Sequence, residues 1–481
     1  MRRVEIYDTL SREKRLFVPI APPRVGLFVC GMTPYAESHI GHGRTFVTFD
    51  VVARALRHWG YRVFYVQNVT NLDDNVIEHG SSEGVDPLAL ADRNFRDHLQ
   101  SMEALGVRSV NFYPYATDYV PEIIEQIRTL VERDFAYPSN GSVYYRVDRF
   151  PSYGRLSGQR AEAHRPGTRV AVDPDKRAPD DFVIWKAAKP GEPSWETPWG
   201  PGRPGWHIED TAITLRLFGS HYDLHGAGVD LKFPHHEAEI ALAESTTGEA
   251  PFVNYWMHSG MLNLSGEKMS KSLGNVVSLS TAIANHGGMV LRFFYLNAQY
   301  RGPLDYVEGK SLVEASEAYR RLGAPLDRIE AAIARGAAQG AKELPEGLER
   351  GAETTVDRMD ELLADDFNTR EAVAELFGYA RRLGEWLPRF EQFSPEGLET
   401  LAAPYRWAQE VLGLFEEAAA RPTAGGSMEL AIQVALDARA KARERGDFAE
   451  ADRIRDELAK AGIRLEDDGE TTRWELASSP R

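Results

Sequence analysis

Cysteine is almost missing from this chain: its 481 residues contain one, Cys30. A single thiol excludes an internal disulfide and a zinc ribbon built from paired CxxC knuckles. Long apolar runs are missing too, since no stretch approaches the roughly 18–20 residues of a membrane span. Basic charge is in deficit, with a formal net charge of −16. That balance argues against indiscriminate coating of nucleic acid, yet a local Lys/Arg surface can still hold phosphates against an acidic background. The opening Met1-Arg2-Arg3-Val4-Glu5-Ile6-Tyr7-Asp8 turns acidic at once and does not read as a signal peptide. The expected setting is the cytoplasm, with no membrane partner.

What is present is an ordinary globular composition, 43% apolar and 27% charged. The length suggests about three domains. Val25-Gly26-Leu27-Phe28-Val29-Cys30 reads as a buried strand, 45–58 as a helix and 61–69 as the next strand. Strand, loop, helix and strand at this spacing make a βαβ unit, so an α/β fold with a Rossmann-like parallel sheet is expected. From 118 to 204 the chain becomes irregular, with a helical stretch at 120–135, a hairpin signal at Asn140-Gly141 and a Pro/Gly/Trp-rich tract at 189–206. This is expected to be an insertion, with the second half of the α/β domain resuming at 210–218 and 234–243. Beyond 310 the composition turns helix-forming, with apolar residues every three or four positions at 315–333, 370–386 and 401–415. A helical bundle with a Gly/Ala-rich loop at 335–342 follows from that. Arg421-Pro422-Thr423-Ala424-Gly425-Gly426-Ser427 reads as a linker. Two charged helices at 428–445 and 448–461 and a hairpin turning at Asp467-Asp468-Gly469 complete a small α+β module.

Two strings carry phosphate chemistry. His39-Ile40-Gly41-His42 sits where a strand-following loop enters a helix, whose N-terminus offers unpaired N–H groups and partial positive charge. Gly41 lets a ligand approach the backbone, and the two imidazoles can donate to an α-phosphate as it becomes five-coordinate. A polar helix start is the plainer reading of that string alone. Lys268-Met269-Ser270-Lys271-Ser272 lies in a Gly-flanked polar stretch, and its two ammonium groups can meet a leaving pyrophosphate as charge develops. By itself it also reads as a solvated loop. The two strings together, in this order, point to an ATP-using enzyme that activates a carboxylate.

These two signatures resemble those of class I aminoacyl-tRNA synthetases. Further stretches are similar to the cysteinyl-tRNA synthetase family: Val29-Cys30-Gly31-Met32-Thr33-Pro34-Tyr35, Asn71-Leu72-Asp73-Asp74, Pro204-Gly205-Trp206-His207-Ile208-Glu209, Gly228-Val229-Asp230-Leu231-Lys232-Phe233-Pro234-His235-His236-Glu237, and Asn254-Tyr255-Trp256-Met257-His258-Ser259-Gly260. The similarity runs over nearly the whole chain. It implies activation of L-cysteine by ATP to cysteinyl-adenylate, then transfer to tRNA(Cys), with Mg²⁺ accompanying the ATP. His39, His42, Lys268 and Lys271 would be catalytic, and Gly41, Asp230, Ser270, Lys271 and Ser272 would contact ATP. Thr33, Asn71 and Trp206 would line the amino-acid pocket. For Asp230 a turn or capping role, and for Trp206 a core aromatic, remain alternative readings.

His235 and Glu239 stand i, i+4 on a helix that begins with Pro234, so both can reach one metal ion, although a polar helix face has the same spacing. The resemblance implies one zinc ion per chain, held by two cysteines, a histidine and a glutamate, and contacting the substrate thiolate directly. Cys30, His235 and Glu239 match, whereas the second cysteine is Asp210 here. Asp keeps the formal charge and can ligate zinc at about 2.0–2.2 Å, but makes the site harder.

The division that goes with the resemblance is 1–117 and 205–260 for the catalytic domain, 118–204 for its insertion and 261–310 for the signature-loop and stem-contact region. A tRNA-binding bundle at 311–420 and an anticodon-binding module at 428–481 follow, with Arg443, Asp452 and Asp467 as anticodon readers and the chain a monomer. A solvated helix face explains those three residues equally well. Two other functions share parts of the pattern: a ligase joining cysteine to an amino-sugar, and a non-catalytic RNA-binding paralogue.

Overall fold

In the computed structural model the described residues are 1–159, 174–264, 267–268, 276–335, 342–416, 435–436, 439, 442–443, 448–460, 463–468 and 471–476. They fall into two compact units, 1–418 and 419–481.

The buried apolar run at Val25–Cys30 lies inside the strand Arg24–Met32, an inner strand of a four-stranded parallel sheet. Arg62–Val69 pairs on one side, with Leu27 opposite Tyr65, and Tyr222–Gly228 on the other, with Leu27 opposite Leu224. Val253–Ser259 completes the order beyond Tyr222–Gly228. Strands buried on both faces need continuous apolar side chains, and Leu27, Phe28, Val29, Val63, Tyr65 and Leu224 are fully buried. The chain leaves Arg24–Met32 toward one neighbour and returns much later to the other. That reversal opens a crevice at the carboxyl ends of the central strands, where ligands of such sheets bind.

Helix Ile40–His58 follows the first strand and starts five residues before the expected 45, because His39 caps it. Asp50, fully buried on this helix, accepts from the backbone N–H groups of Arg108 and Ser109 at 3.0 Å each. It pairs with Arg54 at 2.8 Å and with fully buried Arg292 at 2.6 Å. Arg292 also donates to the carbonyls of Leu105 and Leu412. The network ties the helix to the end of the following bundle.

Between Arg62–Val69 and Tyr222–Gly228 the chain forms helix Val120–Glu132 and an antiparallel sheet of Ala136–Ser139, Ser142–Tyr145, Phe182–Ala187 and Gly202–Pro204. Its first two strands are the hairpin signalled by Asn140-Gly141. Helices Ser311–Arg335, Glu346–Ala364, Thr369–Leu383 and Pro395–Trp407 form the bundle; the second was not singled out in the sequence. The tracts at 336–341 and 421–427, expected as a loop and a linker, lie outside the described residues.

The second unit contains helix Phe448–Lys460 and the antiparallel strands Ile463–Asp468 and Thr471–Leu476. The hairpin was expected to turn at Asp467-Asp468-Gly469. The ladder instead keeps Asp467 opposite Thr472 and Asp468 opposite Thr471. No helix among the described residues is long and apolar enough to cross a membrane.

Candidate active site

A cavity of about 400 Å³ opens at the crevice, lined by Cys30, Thr33, His39, Gly41, His42, Asn68, Trp206, Asp210, Asp230 and His235 among others. Both histidines of the first signature face it. The backbone N–H of Gly41 donates to His39 Nδ1 at 3.1 Å, and that of His39 donates to His42 Nδ1 at 3.3 Å. A neutral imidazole that accepts at Nδ1 carries its proton on Nε2. The rings stack at 3.8 Å between centroids. The cap therefore fixes a pair of Nε2–H donors beside the N-terminus of helix Ile40–His58.

The second signature is bracketed rather than seen. Glu267–Lys268 pairs antiparallel with Asn263 and Leu264, and beyond the signature Ile40 N–H donates to the Val277 carbonyl while Leu279 N–H donates to that of Ser38. Ser270, Lys271 and Ser272 lie outside the described residues, as does the side chain of Lys268. Val277 and Leu279 are thus fastened to the segment that caps the signature helix.

At the base of the cavity, ligand atoms of Cys30, Asp210, His235 and Glu239 lie within 4.8 Å of one another. Asp210 comes from helix Trp206–Phe218, His235 and Glu239 from helix His235–Thr247, and Cys30 from the strand end. His235 Nε2 is 3.2 Å from Asp210 Oδ2 and 2.9 Å from Glu239 Oε1. Burial pushes the Cys30 thiol up, and Glu239 and Asp210 push it further. Burial alone would lower His235, but the two carboxylates outweigh it and raise it to about 10. Protein groups alone thus hold this cluster together only by keeping protons in it. One thiolate, one imidazole and two carboxylates form a donor set suited to a divalent transition metal, so the residues fit zinc.

Trp206 stacks on the His235 ring at 4.3 Å, and His207 Nδ1 lies 2.8 Å from His235 Nδ1, fixing that ring from behind. Asp230 sits in the short helical turn Val229–Lys232 and faces the cavity, as does Thr33. Asn71 is tied to Thr117. Its amide donates to Thr117 Oγ1 at 2.8 Å and accepts from Thr117 N–H at 3.2 Å, which ties it to the short helical turn Ala116–Tyr119. The neighbouring Asn68 and Thr70 line the cavity. His225 and His236, not singled out from the sequence as site residues, lie 3.2 and 3.1 Å from Cys30 Sγ. A histidine in the strand Tyr222–Gly228 was the available signal. In the second unit Arg443 and Asp452 are exposed, and Asp452 pairs with Arg455 at 3.0 Å. Asp467 is in a strand.

The parallel sheet and the histidine-capped helix at its crevice are those of a class I synthetase catalytic domain. The profile "tRNA synthetases class I (C) catalytic domain" matches residues 16–317. The DALR domain profile matches 358–416, and "Cysteinyl-tRNA ligase anticodon binding domain" matches 427–474. The cysteine–tRNA ligase of Methylococcus capsulatus is 46% identical over 477 residues, 98% of this chain and 99% of that protein. That of Thermococcus onnurineus is 40% identical over 480 residues, 99% of each. Among solved structures, Mycobacterium tuberculosis methionyl-tRNA synthetase with methionyl-adenylate superposes with a TM-score of 0.60 at 16% identity, covering 89% of this chain and 96% of that one. That likeness concerns the fold. The chain belongs to the cysteinyl-tRNA synthetase family.

Proposed function

We propose that this cavity activates L-cysteine with ATP and passes the cysteinyl group to tRNA(Cys), the reaction in the names of the curated relatives. The observation that carries the reading is the placement of a Cys30/Asp210/His235/Glu239 donor set at the base of the same cavity that presents His39 and His42. A carboxylate oxygen of cysteine forms a bond to the α-phosphorus, the bond to the bridging oxygen breaks, and pyrophosphate leaves. The Nε2–H groups of His39 and His42 stabilise the charge on the α-phosphate, and Lys268 and Lys271 that on the pyrophosphate. No covalent enzyme intermediate is needed, and positioning supplies much of the rate. Thr33 and Trp206 shape the amino-acid side of the cavity, and Gly41 and Asp230 the ATP side.

Cys30, Asp210, His235 and Glu239 would hold zinc, which when bound supplies a soft contact for the substrate thiolate that a serine hydroxyl cannot match. Asp210 takes the fourth place as an oxygen donor. The match of 427–474 to an anticodon-binding domain supports tRNA as acceptor over an amino-sugar. Arg443, Asp452 and Asp467 belong to that region as candidate anticodon contacts. The reaction is assigned to the cytoplasm, with Mg²⁺ carried by ATP and the monomer as working unit. Supplying labelled cysteine and ATP with either tRNA(Cys) or an amino-sugar tests the acceptor. Stable acylation of the tRNA alone is expected; transfer to the amino-sugar alone would overturn the reading.

A further inference from the structure

We infer that Arg44 is a positioning residue for adenylation, a side chain that sets how far the strand leading to the second signature stands from the histidine pair of the first. The inference rests on the roles assigned above to His42 and Lys268.

Arg44 lies two positions beyond His42 in helix Ile40–His58 and is fully buried. Burial pulls its guanidinium down to about 10, and among the described residues no carboxylate offsets that. Its acceptors are all backbone carbonyls, and they belong to two separate stretches of chain. One terminal nitrogen donates to Gly260 at 2.8 Å and to Met261 at 2.6 Å. The other donates to Gln299 and Tyr300 at 3.3 Å each, and to Gly302. Its Nε–H has no partner among the described residues, so the fork is aimed wholly at these two stretches. A buried cation is costly unless its donors are met, and here carbonyl dipoles alone meet them.

Both stretches frame the second signature. Gly260 and Met261 follow strand Val253–Ser259, line the cavity and run into strand Leu262–Leu264. On one side that strand pairs with Glu267–Lys268, Asn263 standing opposite Lys268. On the other it pairs with Leu304–Tyr306, Leu262 standing opposite Leu304. The two stretches also meet directly. Gly260 N–H donates to the Tyr300 carbonyl at 2.7 Å, and Leu304 N–H to that of Met261 at 2.9 Å. A Cβ on Gly260 would lie 2.1 Å from the Gly302 carbonyl oxygen, so only glycine allows this approach. Arg44 is thus the point at which the first-signature helix grips the three-stranded sheet that contains Lys268.

The histidine donors and the lysine act on the same transition state, where a misplacement of about 1 Å can cost about 10²-fold. A lysine in place of Arg44 keeps the charge but offers one nitrogen instead of a planar fork, and cannot hold both stretches at once.

The test compares Arg44→Lys, Lys268→Ala and the double variant in cysteine-dependent pyrophosphate exchange, with urea midpoints to fix conditions in which all are folded. Arg44→Lys is expected to lower kcat about 10-fold or more and to leave KM for cysteine little changed. Lys268→Ala should cost far less in the Arg44→Lys background than in the parent, because the ammonium it removes is already out of place. Should Arg44→Lys not fold, Gly260→Ala, which pushes on the same contact from the other side, carries the same expectations. Full kcat in a folded variant with a lowered urea midpoint would overturn the inference, and so would an equal cost of Lys268→Ala in both backgrounds. Arg44 would then only stabilise the fold. Lys268→Ala that exchanges at the parent rate would overturn the role given to Lys268 and the inference with it. A parent without cysteine-dependent exchange would overturn the function itself.

Discussion

Asn68 aims Asp210. Its Oδ1 accepts from the Gly31 backbone N–H at 2.7 Å, so its amide nitrogen must face the other way, where it donates to Asp210 Oδ1 at 2.6 Å. Asp210 Oδ2 is left facing His235 Nε2 at 3.2 Å. In the proposed metal site Asp210 is thereby presented as a single-oxygen ligand. Gly31 is part of the device, because a Cβ there would lie 1.7 Å from the Asn68 carbonyl oxygen.

Removing the aiming amide should loosen the metal without removing any ligand. Asn68→Ala is expected to weaken zinc about 10–100-fold, the usual cost of losing a residue that orients a ligand. Competition with a chromophoric chelator measures it. Unchanged affinity would mean that Asp210 does not ligate.

His42→Ala removes one Nε2–H donor from the capped pair. Loss of a donor that acts only in the transition state lowers kcat by roughly 10²–10³, while the His39 cap itself stays in place and only the return bond from the His39 backbone N–H is lost. Cysteine-dependent pyrophosphate exchange should fall in kcat with KM for ATP little changed. A large rise in KM with kcat intact would assign the ring to ground-state binding.

Asp50→Asn should destabilise the catalytic unit by about 3–5 kcal/mol, because it leaves Arg292 buried beside a neutral side chain. Burial alone would raise the Asp50 carboxyl, yet Arg54 and Arg292 hold it well below the usual carboxylate range. Its contribution is present above an unfolded value of about 3.9 and is lost as pH falls through the lower folded value. Urea midpoints measured from pH 6 to pH 3 should therefore fall less steeply in the variant than in the parent. Parallel curves would contradict this account of the network.

What could be read from the sequence was whatever depends on near neighbours. The histidine-capped helix start, the i, i+4 pair His235 and Glu239, and the Asn140-Gly141 hairpin are set by spacing of a few residues, and the structure contains each. Asn68 escaped because its meaning comes from Asp210, far along the chain. Asn71's tie to Thr117, 46 positions on, was out of reach for the same reason. At the C-terminal hairpin Asp467 and Asp468 mark a turn by propensity, yet the ladder register keeps both of them paired.

The most direct test of the central claim is amino-acid-dependent ATP–pyrophosphate exchange across the twenty amino acids, with zinc measured on the same sample before and after metal removal. The account predicts exchange with cysteine alone, lost with the metal and restored by added zinc. Metal-free protein that still activates cysteine at the full rate would contradict it.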